Sequence, residues 1–258
     1  VTGKLDMDES KVRDISSWVD GRIERLYVDF TGISVRKDDH LLDIYSPGLI
    51  AAQEEFLAAY QAGSGFGLSA AREKLRLLGI SKTQISSLEK SGKVTESLTV
   101  HTPISGIIID KNAREGEYVK TGQYLYSVAD LSSLWLLMYI FESDISYLYL
   151  GQPVEFETTA YPGKTFNGTV AFISPTLDPS TRTVKVRVNV KNDDLLLKPE
   201  MLAVAVISSR LDAHGSVVHT ELKGKWLCPM HTDDVHNSSG QCRICGMDLV
   251  NAESIPGA

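Results

Sequence analysis

Residues 103–129 read PISGIIIDKNAREGEYVKTGQYLYSVA, and this stretch decides the fold because residues 18–45, WVDGRIERLYVDFTGISVRKDDHLLDIY, carry the same pattern. In each copy a glycine (Gly21, Gly106) opens an apolar run, Ile23, Leu26 and Val28 in the first and Ile107, Ile108 and Ile109 in the second. A second glycine follows (Gly32, Gly116), then a valine, a polar turn and a short apolar strand. Val35 matches Val119, Leu41 matches Leu125 and Ile44 matches Val128. The offset is 85 residues at the first glycine and 84 from Val35 onward, so a one-residue gap aligns the copies. Half-domains of short strands would each leave an apolar face bare, and are expected to pack on each other. Residues 47–98 then form an insertion that leaves this small β domain and returns to it.

The insertion carries helix signals. Ser46-Pro47-Gly48 offers an N-cap followed by a proline at the first helical position. Leu49, Ala52, Phe56, Leu57 and Tyr60 fall on one stripe until Gly63-Ser64-Gly65-Phe66-Gly67 interrupts it. Leu68, Ala71, Leu75 and Leu78 recur at spacings of three, four and three, which gives a second helix a seam to pack. Ser81 and Gln84 form a capping box for a third helix that buries Ile85 and Leu88 and stops at Gly92. The expected product is a helical hairpin with a third helix, serving as a lid on the β domain or as an arm for a partner.

Beyond residue 131 the pattern changes to a buried strand, WLLMYIF, then one helical turn at Glu142-Ser143-Asp144-Ile145. Val184, Val186, Val188 and Val190 alternate with Lys185, Arg187 and Asn189, and Leu202, Val204 and Val206 alternate again after Lys198-Pro199. Short strands with Gly and Pro turns point to a small antiparallel barrel or sandwich. Residues 1–16 are expected as a strand belonging to the barrel or as a loose end, and residues 208–224 as a linker.

With 43% apolar and 23% charged residues the chain has the composition of a folded globular protein. A net charge of −7 gives no basic field for a phosphate backbone, so nucleic acid is excluded as an expected partner. No run approaches the eighteen apolar residues of a membrane helix. No nucleophile, base and acid stand together in the β regions, and His40 and His101 are read as isolated; the chain is not expected to be an enzyme.

The three cysteines all fall in the tail, WLCPMHTDDVHNSSGQCRICGMDLV at residues 226–250. Cys228-x2-His231 and Cys242-x2-Cys245 are two chelating pairs ten residues apart, and Gly246 lets the backbone turn around an ion. Three cysteines and a histidine would suit Zn(II). Met230 and Met247 add soft thioethers beside the ligands, a set that favours Cu(I) or Ag(I). A structural zinc knuckle, or a Cys242–Cys245 disulfide that leaves Cys228 free, stays open as an alternative. His236, in the intervening loop, is expected to be solvated.

Several strings resemble the periplasmic adaptor (membrane fusion) proteins of RND-type efflux pumps over roughly residues 18–207. They are Glu142-Ser143-Asp144, Gly151-Gln152, Tyr161-Pro162-Gly163, Gly168-Thr169-Val170 with Ile173-Ser174-Pro175, and the run from Asp178 to Val188 with Thr181-Arg182-Thr183. Ala51-Ala52-Gln53-Glu54-Glu55 and Leu75-Arg76-Leu77-Leu78-Gly79-Ile80-Ser81 resemble the copper/silver, CusB-like branch. The tail is similar to the heavy-metal-binding domains that end some efflux adaptors. The resemblance implies a mainly β fold with a helical insertion: a split lipoyl-like (barrel-sandwich hybrid) domain at 17–46 and 97–131 and an α-helical hairpin at 47–96. A β-barrel at 132–207 and a metal-binding tail at 225–251 would follow. A lipoate or biotin carrier is disfavoured, because the turn that would hold its lysine is replaced by helices. Glu200 departs from the family's usual glycine before Met201, and the insertion is short, without a clear tip motif for channel docking.

The implied role is a periplasmic, inner-membrane-associated adaptor in a Gram-negative bacterium. It would assemble as a trimer or hexamer ring between an RND transporter and an outer-membrane channel. A metal sensor, storage protein or metallochaperone with a structural zinc tail is the alternative.

Overall fold

The computed structural model describes residues 1–63, 65–211, 224–231 and 234–252, so most of the expected linker lies outside the described residues. Strands β1 (Thr2–Met7), β2 (Val12–Ser16), β3 (Gly21–Leu26), β4 (Ser34–Val35) and β5 (His40–Tyr45) come first. Helices α1 (Pro47–Gln61), α2 (Gly65–Leu77) and α3 (Lys82–Ser91) separate them from β6 (Ser97–His101), β7 (Gly106–Lys111), β8 (Tyr118–Val119) and β9 (Tyr124–Ala129). Then follow β10 (Ser133–Phe141), a 3₁₀ segment (Glu142–Tyr147), β11 (Pro153–Thr158), β12 (Thr165–Asp178), β13 (Thr183–Lys191) and β14 (Leu202–Ile207). The tail contributes β15 (Trp226–Leu227), β16 (Val235–His236) and β17 (Val250–Asn251). The chain divides into two compact units, Ser10–Asp130 and Val1–Glu9 with Leu131–Ala258.

In the first unit the repeat becomes two four-stranded antiparallel sheets, ordered β6-β5-β3-β8 and β2-β9-β7-β4. Each half lends a two-residue strand to the other: β4 pairs with β7, and β8 with β3. The repeat also reaches further upstream than the sequence pattern indicates, because β2 and β6 hold matching places and the same 85-residue offset separates Val12 from Ser97. The opening glycines are fixed by close approach. A Cβ at Gly21 would lie 2.2 Å from the Tyr45 carbonyl oxygen, and one at Gly106 would lie 2.4 Å from that of Ala129. Backbone cannot yield there, so only hydrogen fits. Ile23, Leu42 and Ile44 from one sheet and Ile108, Leu125 and Val128 from the other share one buried cluster. His40 and His101 do not stand apart as expected: the β5–β6 ladder sets them opposite each other, and the His40 ring meets Tyr27 edge-on at 4.2 Å.

The helices start and stop where their caps dictate. Ser46 Oγ accepts the Leu49 N–H before Pro47, Ser81 and Gln84 make the reciprocal capping box, and Gly92 closes α3 in the left-handed conformation. Leu49, Phe56, Ala71, Leu75, Ile85 and Leu88 are buried in the same cluster as the sheets. Buried Gln53 ties α1 to the returning chain, donating to the Thr95 carbonyl at 2.8 Å and accepting the Thr95 N–H at 3.0 Å. Both ends of its amide are thereby satisfied, which offsets the cost of burying it.

The second unit is a closed six-stranded barrel, ordered β1-β10-β13-β12-β11-β14. Residues 1–16 are thus shared out, with β1 closing the barrel between β10 and β14 and β2 joining the first unit. Val186, Val188 and Val190 line the barrel interior with Leu134, Leu136, Met138, Val154 and Phe156, as strand alternation demands, and Val184 on the same face is buried too. Glu200 takes φ +74°, donates its N–H to the Leu5 carbonyl and pairs with Lys4 at 2.6 Å. No helix among the described residues is long and apolar enough to cross a membrane.

Candidate metal centre

The tail folds around very little apolar material. β15 pairs with β16 and β17 in a three-stranded sheet, and the buried residues beneath it are Cys228, Cys242 and Leu249, with Trp226 packed on them. The second chelating pair sits on a tight turn. The Gly246 N–H reaches the Cys242 carbonyl at 2.8 Å with Gly246 at φ +74°, and the Cys242 N–H donates to the Met247 carbonyl at 2.8 Å. That turn brings Cys245 back over Cys242, and the register of Gln241 with Asp248 fastens its base.

Four donor atoms, on Cys228, His231, Cys242 and Cys245, lie within 4.8 Å of one another. Cys228 Sγ is 3.6 Å from Cys245 Sγ and 3.7 Å from His231 Nδ1, which is also 3.7 Å from Cys242 Sγ. Metal–sulfur bonds of about 2.3 Å and metal–nitrogen bonds of about 2.0–2.1 Å in a tetrahedron give edges of about 3.5–3.8 Å between donors. The short edges here have that length. Three thiols and one imidazole nitrogen therefore fit a single four-coordinate soft or borderline ion without an open position, an arrangement that holds an ion and leaves no site for catalysis. The three cysteines are free; Cys228 and Cys242 are buried and Cys245 is exposed.

The thiols are electrostatically unequal. Burial pushes Cys228 up, but the N–H groups of Met230 and His231, the His231 ring and the Cys245 thiol favour its thiolate, and the net is a fall from 9.0 to about 7. Burial pushes Cys242 up, and there it prevails. Ligation requires thiolates, so the cluster offers one, on Cys228, that is half-formed near neutrality and one, on Cys242, that the ion must deprotonate.

Asp234 was not singled out by the sequence, yet it buttresses the centre. Its Oδ2 accepts the N–H of Arg243, next to Cys242, at 2.8 Å, and its Oδ1 lies 2.9 Å from His236 Nε2. The Arg243 N–H is the main cause that lowers the Asp234 carboxyl. His236 stands on β16, half-buried against this carboxylate and outside the donor group. The side chains of Met230 and Met247 are exposed, while their backbones belong to the two ligand turns.

Comparison with known proteins fits this layout. Residues 133–210 match the family described as CusB-like, beta-barrel domain, residues 48–96 the CusB three alpha-helical bundle domain, and residues 225–252 the heavy metal binding domain. The chain is 32% identical over 194 residues to the membrane fusion protein SilB of Salmonella typhimurium, a match covering 74% of this chain and 45% of SilB. It is 28% identical over 184 residues to the cation efflux system protein CusB of Escherichia coli K12, covering 71% and 45% respectively. The chain thus spans about half the length of the curated relatives it matches. Among solved structures, ZneB from Cupriavidus metallidurans superposes with a TM-score of 0.54 at 25% identity, over 80% of this chain and 95% of that one. MacA from Actinobacillus actinomycetemcomitans gives 0.54 at 21%, over 84% and 77%, and shares the fold.

Proposed function

We propose that this chain, whose residues 133–210, 48–96 and 225–252 match the CusB-like barrel, the CusB helical bundle and the heavy metal binding domain, is a periplasmic adaptor of a heavy-metal efflux system whose tail takes up the exported ion. The observation that carries this reading is the four-donor cluster of Cys228, His231, Cys242 and Cys245 on the same chain as the CusB-like barrel and helical bundle. The ion is cargo, and Cu(I) or Ag(I) is the preferred one, since three thiolates favour a soft cation and the exposed thioethers of Met230 and Met247 add soft donors at the rim. Zn(II) can fill the same tetrahedron.

In this reading the two units serve assembly. The adaptor joins an inner-membrane RND transporter to an outer-membrane channel, as a trimeric or hexameric ring, with the helical bundle as its projecting part. It carries out no chemistry. The test is co-purification: the tagged chain, expressed in a Gram-negative periplasm with detergent-solubilised membranes, should retain an RND transporter and form oligomers. A monomer that holds zinc and retains no transporter would instead make it a metal sensor, store or chaperone.

A further inference from the structure

The short strands of the tail have two faces with different employers. Strand alternation sends Trp226 and Cys228 to one side, where they meet Cys242 and Leu249 around the donor atoms. Leu227, between them, points the other way, and with Ala252 it is buried in the apolar cluster of the barrel, each at 1% exposure. Leu227 pairs in register with Val250, so β15 and β17 present the same side to the barrel. A tail that merely hung from the barrel would leave Leu227 in water.

The tail's own core, three buried residues and one indole, is too small to hold these strands unaided. The same ribbon thus has the four donor atoms on one side and the barrel on the other. We propose that the ribbon of β15 and β17 is a metal-dependent plug: ion binding to the cysteine side forms the ribbon, its Leu227 and Ala252 side then seals the barrel, and loss of the ion frees it. This rests on the reading of the four donors as a metal site. Linkage is reciprocal, so the docking that metal promotes must in turn strengthen metal binding. The device would make the barrel's apolar end available or covered according to metal load.

The experiment is hydrogen exchange and thermal unfolding of the full chain, reduced and oxygen-free, with and without Ag(I) and separately Zn(II). Silver should slow exchange in barrel peptides as well as in the tail, and should raise the barrel's Tm. Leu227→Ser and, independently, Ala252→Glu keep all four donors; each should still take one Ag(I) per chain, about tenfold or more weakly, and the barrel should no longer respond to it. Cys245→Ser, with the docking side intact, should leave the barrel as exchangeable as in the metal-free protein. If the unaltered chain binds the ion and the barrel does not respond, or if both docking variants bind as tightly as the unaltered chain, the plug is wrong and the metal site stands. If the unaltered chain takes up neither ion, the metal reading itself falls and the plug with it.

Discussion

The indole of Trp18 lies over Gly79: a Cβ added at Gly79 would stand 3.1 Å from Trp18 Cγ and 3.2 Å from Trp18 Cβ. Gly79 also holds φ +85°, so this contact between the first β half and the turn after α2 is available to glycine alone. Gly79→Ala should lower stability by about 1–2 kcal/mol through the left-handed backbone, with a further loss from the indole. Urea denaturation of Gly79→Ala in the native and Trp18→Ala backgrounds checks this. A smaller penalty in the second background is the expected result, and equal penalties would mean the indole plays no part.

Leu75, fully buried on α2, belongs to a cluster that runs unbroken from the helices into both sheets. Leu75→Asp places an unpaired charge there, which costs several kcal/mol by order of magnitude. Because that core is continuous, the loss should spread into the sheets of residues 10–130. Far-UV circular dichroism and exchange on this variant would show it, while stoichiometric metal uptake by the tail should persist.

Glu200 occupies the left-handed region at φ +74°, where a side chain is strained and a glycine is not. Its ion pair with Lys4 is exposed and screened. Glu200→Gly should therefore raise stability by about 1 kcal/mol, read as a higher Tm of the barrel. A lower Tm would show that the Lys4 contact outweighs the backbone strain.

Metal affinity should depend on pH in a way set by the unequal thiols. Cys228, lowered to about 7, keeps its proton only below that pH, whereas Cys242, raised by burial, competes for protons throughout the neutral range. Each thiol proton displaced changes the apparent affinity by about tenfold per pH unit. The slope of log affinity against pH should therefore be positive and steepen by about one below pH 7. A titration series from pH 6 to pH 8.5 (about 0.5 apart) with Zn(II) and a competing chelator checks the sign, and a slope unchanged across pH 7 would contradict it.

Much of this was legible in the residues, for physical reasons. The half-domain glycines announce themselves because no side chain fits beneath Tyr45 and Ala129, and helix caps are local chemistry that Ser46, Ser81 and Gly92 display directly. The paired spacing of Cys228, His231, Cys242 and Cys245 was sufficient to bring the four donors to one place. What stayed hidden was long-range. Val12–Ser16 and Ser97–His101 share a place in the repeat but little side-chain likeness, since edge positions tolerate many residues. Residues 1–16 read as a barrel strand or a loose end, but nothing local divides them into Thr2–Met7, which closes the barrel, and Val12–Ser16, which joins the other unit. Asp234 is one of an acidic pair in a polar loop, and its hydrogen bond to the Arg243 N–H exists only once the loop has closed.

Cys228, His231, Cys242 and Cys245 bring the four donors of the proposed metal site together. The most direct test of that site is a competition titration of the full reduced chain with Cu(I) and with Zn(II), run beside Cys245→Ser and the Met230→Leu, Met247→Leu pair. One ion per chain is expected. Cys245→Ser should weaken both ions by about tenfold or more, because a thiolate leaves the tetrahedron, and the double methionine variant should weaken Cu(I) alone, because thioether softness serves only the soft ion. Unchanged binding of both ions in Cys245→Ser would contradict a centre that includes Cys245.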